Sequence, residues 1–280
     1  MFSRARAYLS LIRPLNLLIT FVSIIAAAVL AGGGWADVIP MVLAGVAGVA
    51  IAAGANAVND YFDDEIDRIN RPDRPIPSGA LTKSHAWRFW QIASAAGCLC
   101  GLAIGLWPFV ITVGSVVLLY AYSRSLKATP LAGNIVVGGM TGMAFIFGGA
   151  AIGAADRAVV PAVFAFLVNV AREVVKDIED RHGDAHHRVV TLPVRFGVRP
   201  AQVVTSLSLV LLVVVTVLAY VHDQYDHVYF RIVLVADAML LYVALAVWWG
   251  ETPAHMRRLS LLLKATMVVG LAAIFFGRRL

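Results

Sequence analysis

The chain has 280 residues, 60% of them hydrophobic and 14% charged, with a formal net charge of +6 and a mean hydropathy of +0.80. Soluble domains run at about 45–50% apolar and about 25% charged, so this composition excludes a soluble enzyme and defines an integral membrane protein. The positive balance does not point to nucleic acid, because the basic residues fall in short connections between apolar segments, where topology and anionic headgroups account for them.

At the N-terminus Arg4 and Arg6 precede an apolar run, as in a signal peptide. Arg13-Pro14 interrupts that run, and it outlasts an h-region, so an uncleaved first helix is expected. A span needs about 20 apolar residues. Nine segments qualify: 15–34, 38–58, 87–106, 109–123, 132–153, 158–173, 200–221, 229–249 and 259–277, the fourth and sixth being short. Gly32-Gly33-Gly34 reads as a turn. Cys98 and Cys100, two apart in the third segment, point to different helix faces and read as small packing residues, with no zinc or redox framework. The expected fold class is an all-α integral membrane protein of nine transmembrane helices. No polar linker divides it, so residues 1–280 read as one membrane domain.

The connections set the orientation. Arg68, Arg71, Arg74, Lys83 and Arg88 follow the second segment, Arg124 and Lys127 the fourth, Arg172, Lys176, Arg181, Arg188, Arg195 and Arg199 the sixth, and Arg257 and Arg258 the eighth. The opposite connections hold only Arg157 and Arg231, with Arg278 and Arg279 at the C-terminus dissenting. The positive-inside rule therefore predicts a cytoplasmic N-terminus. A faint echo links the halves, since each acidic cluster is followed by Pro, then Gly (Pro77, Gly79; Pro193, Gly197), then a new helix. Two four-helix halves plus a ninth helix would fit it, and such repeats often place a site at their interface.

The acids carry the chemistry. Residues 56–68 read Asn56-Ala-Val-Asn59-Asp60-Tyr-Phe-Asp63-Asp64-Glu65-Ile-Asp67-Arg68, and a second run holds Glu173, Lys176, Asp177, Glu179, Asp180 and Asp184. Carboxylates at a bilayer surface are expensive and mark function by default. Asn59, Asp63 and Asp67 recur every four residues, as do Asn56 and Asp60, and Asp180 and Asp184. On helices these positions form stripes of oxygen ligands. Mg²⁺ binds one or two carboxylates and completes its shell with waters and substrate phosphates, so two facing stripes are expected to hold two Mg²⁺ ions with a diphosphate between them. Both stripes fall on the cytoplasmic side of the expected topology. Arg68, Arg71 and Arg74, and Arg124 and Lys127, suit the diphosphate. Asp64, Glu65 and Glu179 read better as solvated helix ends, with Asp64 paired to Arg68, and His182, His186 and His187 as a solvated loop. Asp237, in mid-segment, is either a pocket residue or a buried polar group bonded to a neighbour.

Asn59-Asp60-x-x-Asp63-x-x-x-Asp67 and Asp180-x-x-x-Asp184 resemble the two aspartate-rich motifs of the UbiA-type intramembrane prenyltransferases. Arg13-Pro-x-Asn16, Arg71-Pro-x-Arg74-Pro-Ile-Pro-Ser-Gly79, Tyr122-Ser-Arg124-x-Leu-Lys127 and Thr191-Leu-Pro193 are similar to segments of that family. The resemblance implies nine helices around a central cavity and Mg²⁺-dependent transfer of a prenyl group from a prenyl diphosphate to a lipophilic acceptor. It assigns Asn59, Asp63 and Asp67 to one Mg²⁺, Asp180 and Asp184 to the other, Asp60 and Asp177 to positions beside them, Arg124 and Lys127 to the diphosphate, and Asn16 to substrate. The motifs are most similar to those of the branch that alkylates the free hydroxyl of geranylgeranylglyceryl phosphate with a geranylgeranyl group, giving an ether lipid. Lys176 and Asp177 are then placed to seat the acceptor's phosphate or proton. An aromatic quinone precursor or a chlorophyllide is the alternative acceptor. Membrane lipid is the expected surrounding, with no nucleic acid and no obligate protein partner evident. Two rivals fit less well: CDP-alcohol phosphotransferases group their acids in one motif, and a carrier would place its charges at the bilayer midplane.

Overall fold

The computed structural model describes residues 4–186 and 190–277, with the side chains of residues 70 and 182–186 outside the description. The described residues form α1 (Arg4–Ile12), α2 (Pro14–Leu30), α3 (Val38–Asn70), α4 (Lys83–Ile104), α5 (Leu106–Arg124), α6 (Ala132–Ala151), α7 (Val159–His186), α8 (Leu192–Phe196), α9 (Val198–Val221), α10 (His227–Ala246) and α11 (Pro253–Phe276). Among them seven stretches are long and apolar enough to cross a membrane: Trp35–Ile69, α5, α6, Asp156–Arg181, α9, α10 and α11. The pair α1 and α2, bent by 45°, makes an eighth if counted as one span. The expected segment 87–106 corresponds to α4, which is not among them.

Local chemistry explains the ends. Thr82 accepts from the His85 amide while its own amide donates to His85 Nδ1 (3.2 Å), a reciprocal cap that starts α4. Asp226 Oδ1 accepts from the amides of Val228 and Tyr229 and starts α10. Thr252 followed by Pro253 starts α11. These caps satisfy amides that a first turn leaves unpaired. The two echoing glycines, Gly79 and Gly197, have φ of 75° and 86°, values that a side chain resists. Two helices outrun their apolar segments: the segment 38–58 continues as helix to Asn70, and 158–173 to His186. Hydropathy stops where water begins, whereas the helical ladder runs on until something breaks it, here Pro72 in the first case.

The chain forms two compact units, Met1–Leu126 with Ala144–Arg157, and Lys127–Met143 with Ala158–Leu280. In the first, Ile24, Ala44, Ala47, Phe147 and Ala151 make one buried cluster, and Ala7, Leu11, Ala57 and Leu81 another. In the second, Val168, Val174 and Ile178 of α7 pack with Leu209 and Leu212 of α9, Leu240 of α10 and Leu263 of α11. Ile92, Leu99, Val117, Leu207, Leu245 and Val268 are all exposed. That many large apolar side chains on the outside suit hydrocarbon and not water. Asp237 proves to be a buried polar group bonded to a neighbour: it lies against the Thr216 hydroxyl at 2.9 and 3.0 Å.

Candidate active site

In the first unit the site grows from the end of α3. At about 100° per residue, Asn59, Asn56, Asp63, Asp67, Asp60 and Asp64 fall within an arc of about 140°. Asp60, Asp64 and Asp67 are buried, at 2%, 6% and 5% exposure, while Asn59 and Asp63 are half-buried. Asn59 donates from Nδ2 to Asp63 Oδ2 (3.0 Å).

Buried carboxylates need cations, and two arginines supply them. Arg13 sits at the break between α1 and α2 with φ 55° and ψ 72°, a left-handed conformation that costs about 1–2 kcal/mol and that the following proline disfavours further. Its guanidinium donates to Asp60 Oδ1 (2.5 Å) and Asn56 Oδ1 (3.2 Å). Asn56 in turn donates to the Ile12 carbonyl (2.9 Å). Arg74 donates to Asp67 Oδ2 (2.5 Å) and to the same Asp60 Oδ1 (3.3 Å). Its loop is fixed by the Ser78 amide on the Arg74 carbonyl and the Leu81 amide on that of Pro75, and by burial of Ile76 and Leu81.

Spacing pairs neither arginine with these acids, and Arg74, expected at the diphosphate, is held by Asp60 and Asp67 instead. The available signal was local: each stands beside proline, Arg13 at a helix break and Arg74 in Arg71-Pro72-Asp73-Arg74-Pro75, where fixed backbone can aim a side chain.

Asp64 pairs with Arg68 as expected, yet it is buried, not solvated. Arg68 Nε stands 3.2 Å from Oδ1 without an aligned hydrogen bond, Nη2 donates to Oδ2 (3.3 Å), and Lys83 Nζ lies 3.9 Å away. Arg68 therefore leans back on α3 with much of its side chain exposed. Tyr61 and Phe62 of α3, Trp87 and Trp90 of α4 and Tyr120 of α5 form a contiguous aromatic cluster with ring centroids 4.7–6.3 Å apart. Lys83 lies over the Tyr61 ring. Arg124 is exposed at the end of α5, 3.5 Å from the Tyr120 hydroxyl. Asn16 is exposed on α2, its carbonyl accepting from Thr20.

In the second unit, Asn134 of α6 donates to Asp177 Oδ2 (2.9 Å). Arg172 and Lys176 both hold Glu173, and Arg181 donates to Glu251 (2.7 Å). Asp180 is exposed and Lys127 half-buried. Asp184, His182, His186 and His187 lie outside the described side chains. Among the described residues no three acidic, histidine or cysteine side chains converge as a metal cluster. The donors on α3 are nonetheless hard oxygens at helical spacing, and a site that shares its ion with substrate phosphates needs only one or two carboxylates. The set fits Mg²⁺.

An all-helical membrane-type fold with this acidic helix end defines the class: the chain belongs to the UbiA prenyltransferase family, whose profile matches residues 20–269, and it is a prenyltransferase. The curated digeranylgeranylglyceryl phosphate synthase of Methanothermobacter thermautotrophicus is 33% identical over 270 residues, covering 96% of this chain and 95% of the relative. That of Methanopyrus kandleri is 37% identical over 268 residues, covering 96% and 97%. A solved structure of a digeranylgeranylglyceryl phosphate synthase superposes with a TM-score of 0.91 at 29% identity over 99% of each chain. A UbiA homolog from Archaeoglobus fulgidus, bound to GPP and Mg2+, shares the fold at a TM-score of 0.66 and 18% identity, covering 96% of this chain and 99% of the homolog.

Proposed function

We propose that the protein transfers a geranylgeranyl group from geranylgeranyl diphosphate to the hydroxyl of geranylgeranylglyceryl phosphate, with Mg²⁺, in ether-lipid synthesis. The observation that carries this reading is the near-full-length relatedness to synthases of that product. The chain is read as nine spans, namely the seven apolar stretches, the bent pair and α4, with the N-terminus and both acidic helix ends cytoplasmic. The loop cations support that orientation.

In this reading Asn59, Asp63 and Asp67 hold one Mg²⁺ and Asp180 and Asp184 a second. Bound Mg²⁺ supplies positive charge to the leaving diphosphate. Arg13 and Arg74 pair with and aim the Asp60 and Asp67 carboxylates, and Asn56 fixes Arg13. Arg68, Arg124 and Lys127 take diphosphate oxygens as negative charge develops there, the kind of prearranged electrostatics that lowers barriers most. The carbon–oxygen bond of the prenyl diphosphate breaks with both electrons going to the diphosphate. The acceptor oxygen bonds to the allylic carbon, and its proton passes to the released diphosphate. The aromatic cluster of Tyr61, Phe62, Trp87, Trp90 and Tyr120 offers π faces suited to an allylic cation, and apolar walls keep water from quenching it.

The test uses the purified protein in detergent with Mg²⁺ and labelled geranylgeranyl diphosphate, offered geranylgeranylglyceryl phosphate, an aromatic acid or a chlorophyllide in parallel. A phosphate-bearing diether, absent with Asp63→Ala, is the expected product. Product with the aromatic acid or chlorophyllide alone would refute the acceptor and keep the chemistry.

A further inference from the structure

The acceptor proposed above carries a phosphate monoester, a second dianion besides the diphosphate, and it needs cations of its own. α7 carries a pair suited to it. Arg172 and Lys176 stand four residues apart on one face, where like charges repel and weaken a helix. Arg172 is the first charged residue after the stretch 158–171, the place on an apolar helix where a cation suits a lipid headgroup.

What reconciles the two cations is a single carboxylate. Glu173 Oε1 accepts from Arg172 Nη1 at 2.7 Å, and Lys176 Nζ reaches Glu173 at 3.2 and 3.4 Å. Neighbours in a helix point about 100° apart, so Arg172 must turn aside to make this contact. The contact also leaves Arg172 Nε buried with no hydrogen-bond partner. Asp177, the next acid, receives the Asn134 amide. The Arg172 and Glu173 side chains are 17% and 19% exposed, that of Lys176 40%. An anion reaching them is thus little screened by water. One carboxylate offers two oxygens; a phosphate monoester offers three and twice the charge, which matches a guanidinium and an ammonium on one face.

We infer that Arg172 and Lys176 form the binding site for the glycerol phosphate of the acceptor, with Glu173 as an internal anion that holds the two cations until the phosphate displaces it. The site rests on the acceptor reading above, and it extends the sequence expectation for Lys176 to Arg172 and gives Glu173 a role of opposite sign.

The test compares wild type, Arg172→Gln, Arg172→Lys, Lys176→Gln and Glu173→Gln, all checked for an unchanged elution profile in detergent. Two readouts are taken: equilibrium binding of geranylgeranylglyceryl phosphate against its dephosphorylated alcohol, and steady-state KM for acceptor and for geranylgeranyl diphosphate. Arg172→Gln and Lys176→Gln are expected to weaken phosphorylated acceptor about tenfold, the loss of one charge-assisted hydrogen bond. Binding of the alcohol and KM for the diphosphate should stay within about twofold on the same scale. Arg172→Lys should recover part of the loss. Glu173→Gln should instead tighten phosphate-bearing acceptor, which a residue serving only to brace the helix would not do. Equal losses for the acceptor and its alcohol, or weakened binding in Glu173→Gln, would overturn the site. Phosphatidic acid, offered as a second phosphate monoester lipid, separates sources: if it alone binds and depends on Arg172, the site belongs to bulk lipid and the inference fails. If wild type binds the acceptor through Arg172 but makes no diether, the site stands and the proposed function falls.

Discussion

Arg13 gives the sharpest prediction, because its conformation and its contacts pull in opposite directions. The backbone at φ 55° is unfavourable by about 1–2 kcal/mol, so the contacts to Asp60 and Asn56 must return more than that. Removing one partner of a buried ion pair costs about 3–5 kcal/mol. Here the Arg13 side chain is 31% exposed, and Arg74 still reaches Asp60 at 3.3 Å after Arg13 is gone. Both facts reduce the figure, so the expected coupling between Arg13 and Asp60 is about 1–2 kcal/mol. A double-mutant cycle of Arg13→Ala and Asp60→Asn, read by equilibrium unfolding in mixed micelles, measures it. Arg13→Gly should be more stable than Arg13→Ala, by up to about 1 kcal/mol, since glycine accepts the left-handed backbone. A coupling below about 0.3 kcal/mol, the usual scatter between independent sites, would refute the claim that Arg13 holds Asp60. Arg13→Gly no better than Arg13→Ala would refute the strain.

Other consequences are simpler. Asp63→Ala and Asp67→Ala are each expected to lower Mg²⁺-supported turnover by at least about a hundredfold, and Glu65→Ala, exposed on the same turn, to leave it nearly unchanged; radiolabel transfer reads both. A side chain at Gly142 would stand 2.7 Å from the Ala162 carbonyl oxygen, and one at Gly138 2.9 Å from that of Phe166. Gly142→Val should therefore force α6 from α7 and destabilise by about 1–3 kcal/mol, seen in detergent unfolding. Thr216→Val strips the hydroxyl from buried Asp237 and should cost about 1–3 kcal/mol, with Thr216→Ser restoring most of it.

The acidic stripe was legible because it rests on one period: every member lies on a single helix, so spacing alone brings Asn59, Asp63 and Asp67 to one side. Their pairing with the two arginines was not, because Arg13 meets Asp60 across 47 positions and Arg74 across 14, distances that no local pattern encodes. Burial of Asp64 was hidden for the same reason. Its i, i+4 partner Arg68 was readable, whereas Lys83, which closes over it, comes from the start of α4. The apolar segments stop short of the ends of α3 and α7 because hydropathy marks where apolar character stops, and the hydrogen-bonded ladder obeys a different rule. The buried Asp237 was read as one of two alternatives, and only its neighbour on α9 decides between them.

The length of α3 also ties the site to the membrane's thickness. Its 33 residues extend about 50 Å at about 1.5 Å each, against a hydrocarbon layer of about 30 Å. Counted from Val38, Asn59 comes about 30 Å along and Asp67 about 45 Å. An upright α3 thus lifts the acids into the headgroup layer, where a divalent ion arrives from water without crossing oil. Tilt the helix, or thicken the bilayer, and Asn59 and Asp60 sink first, each step costing hydration. Catalytic rate should accordingly fall in vesicles of longer-chain lipid, with metal affinity falling alongside it, so that the thickness of the surrounding lipid sets the depth at which the site works.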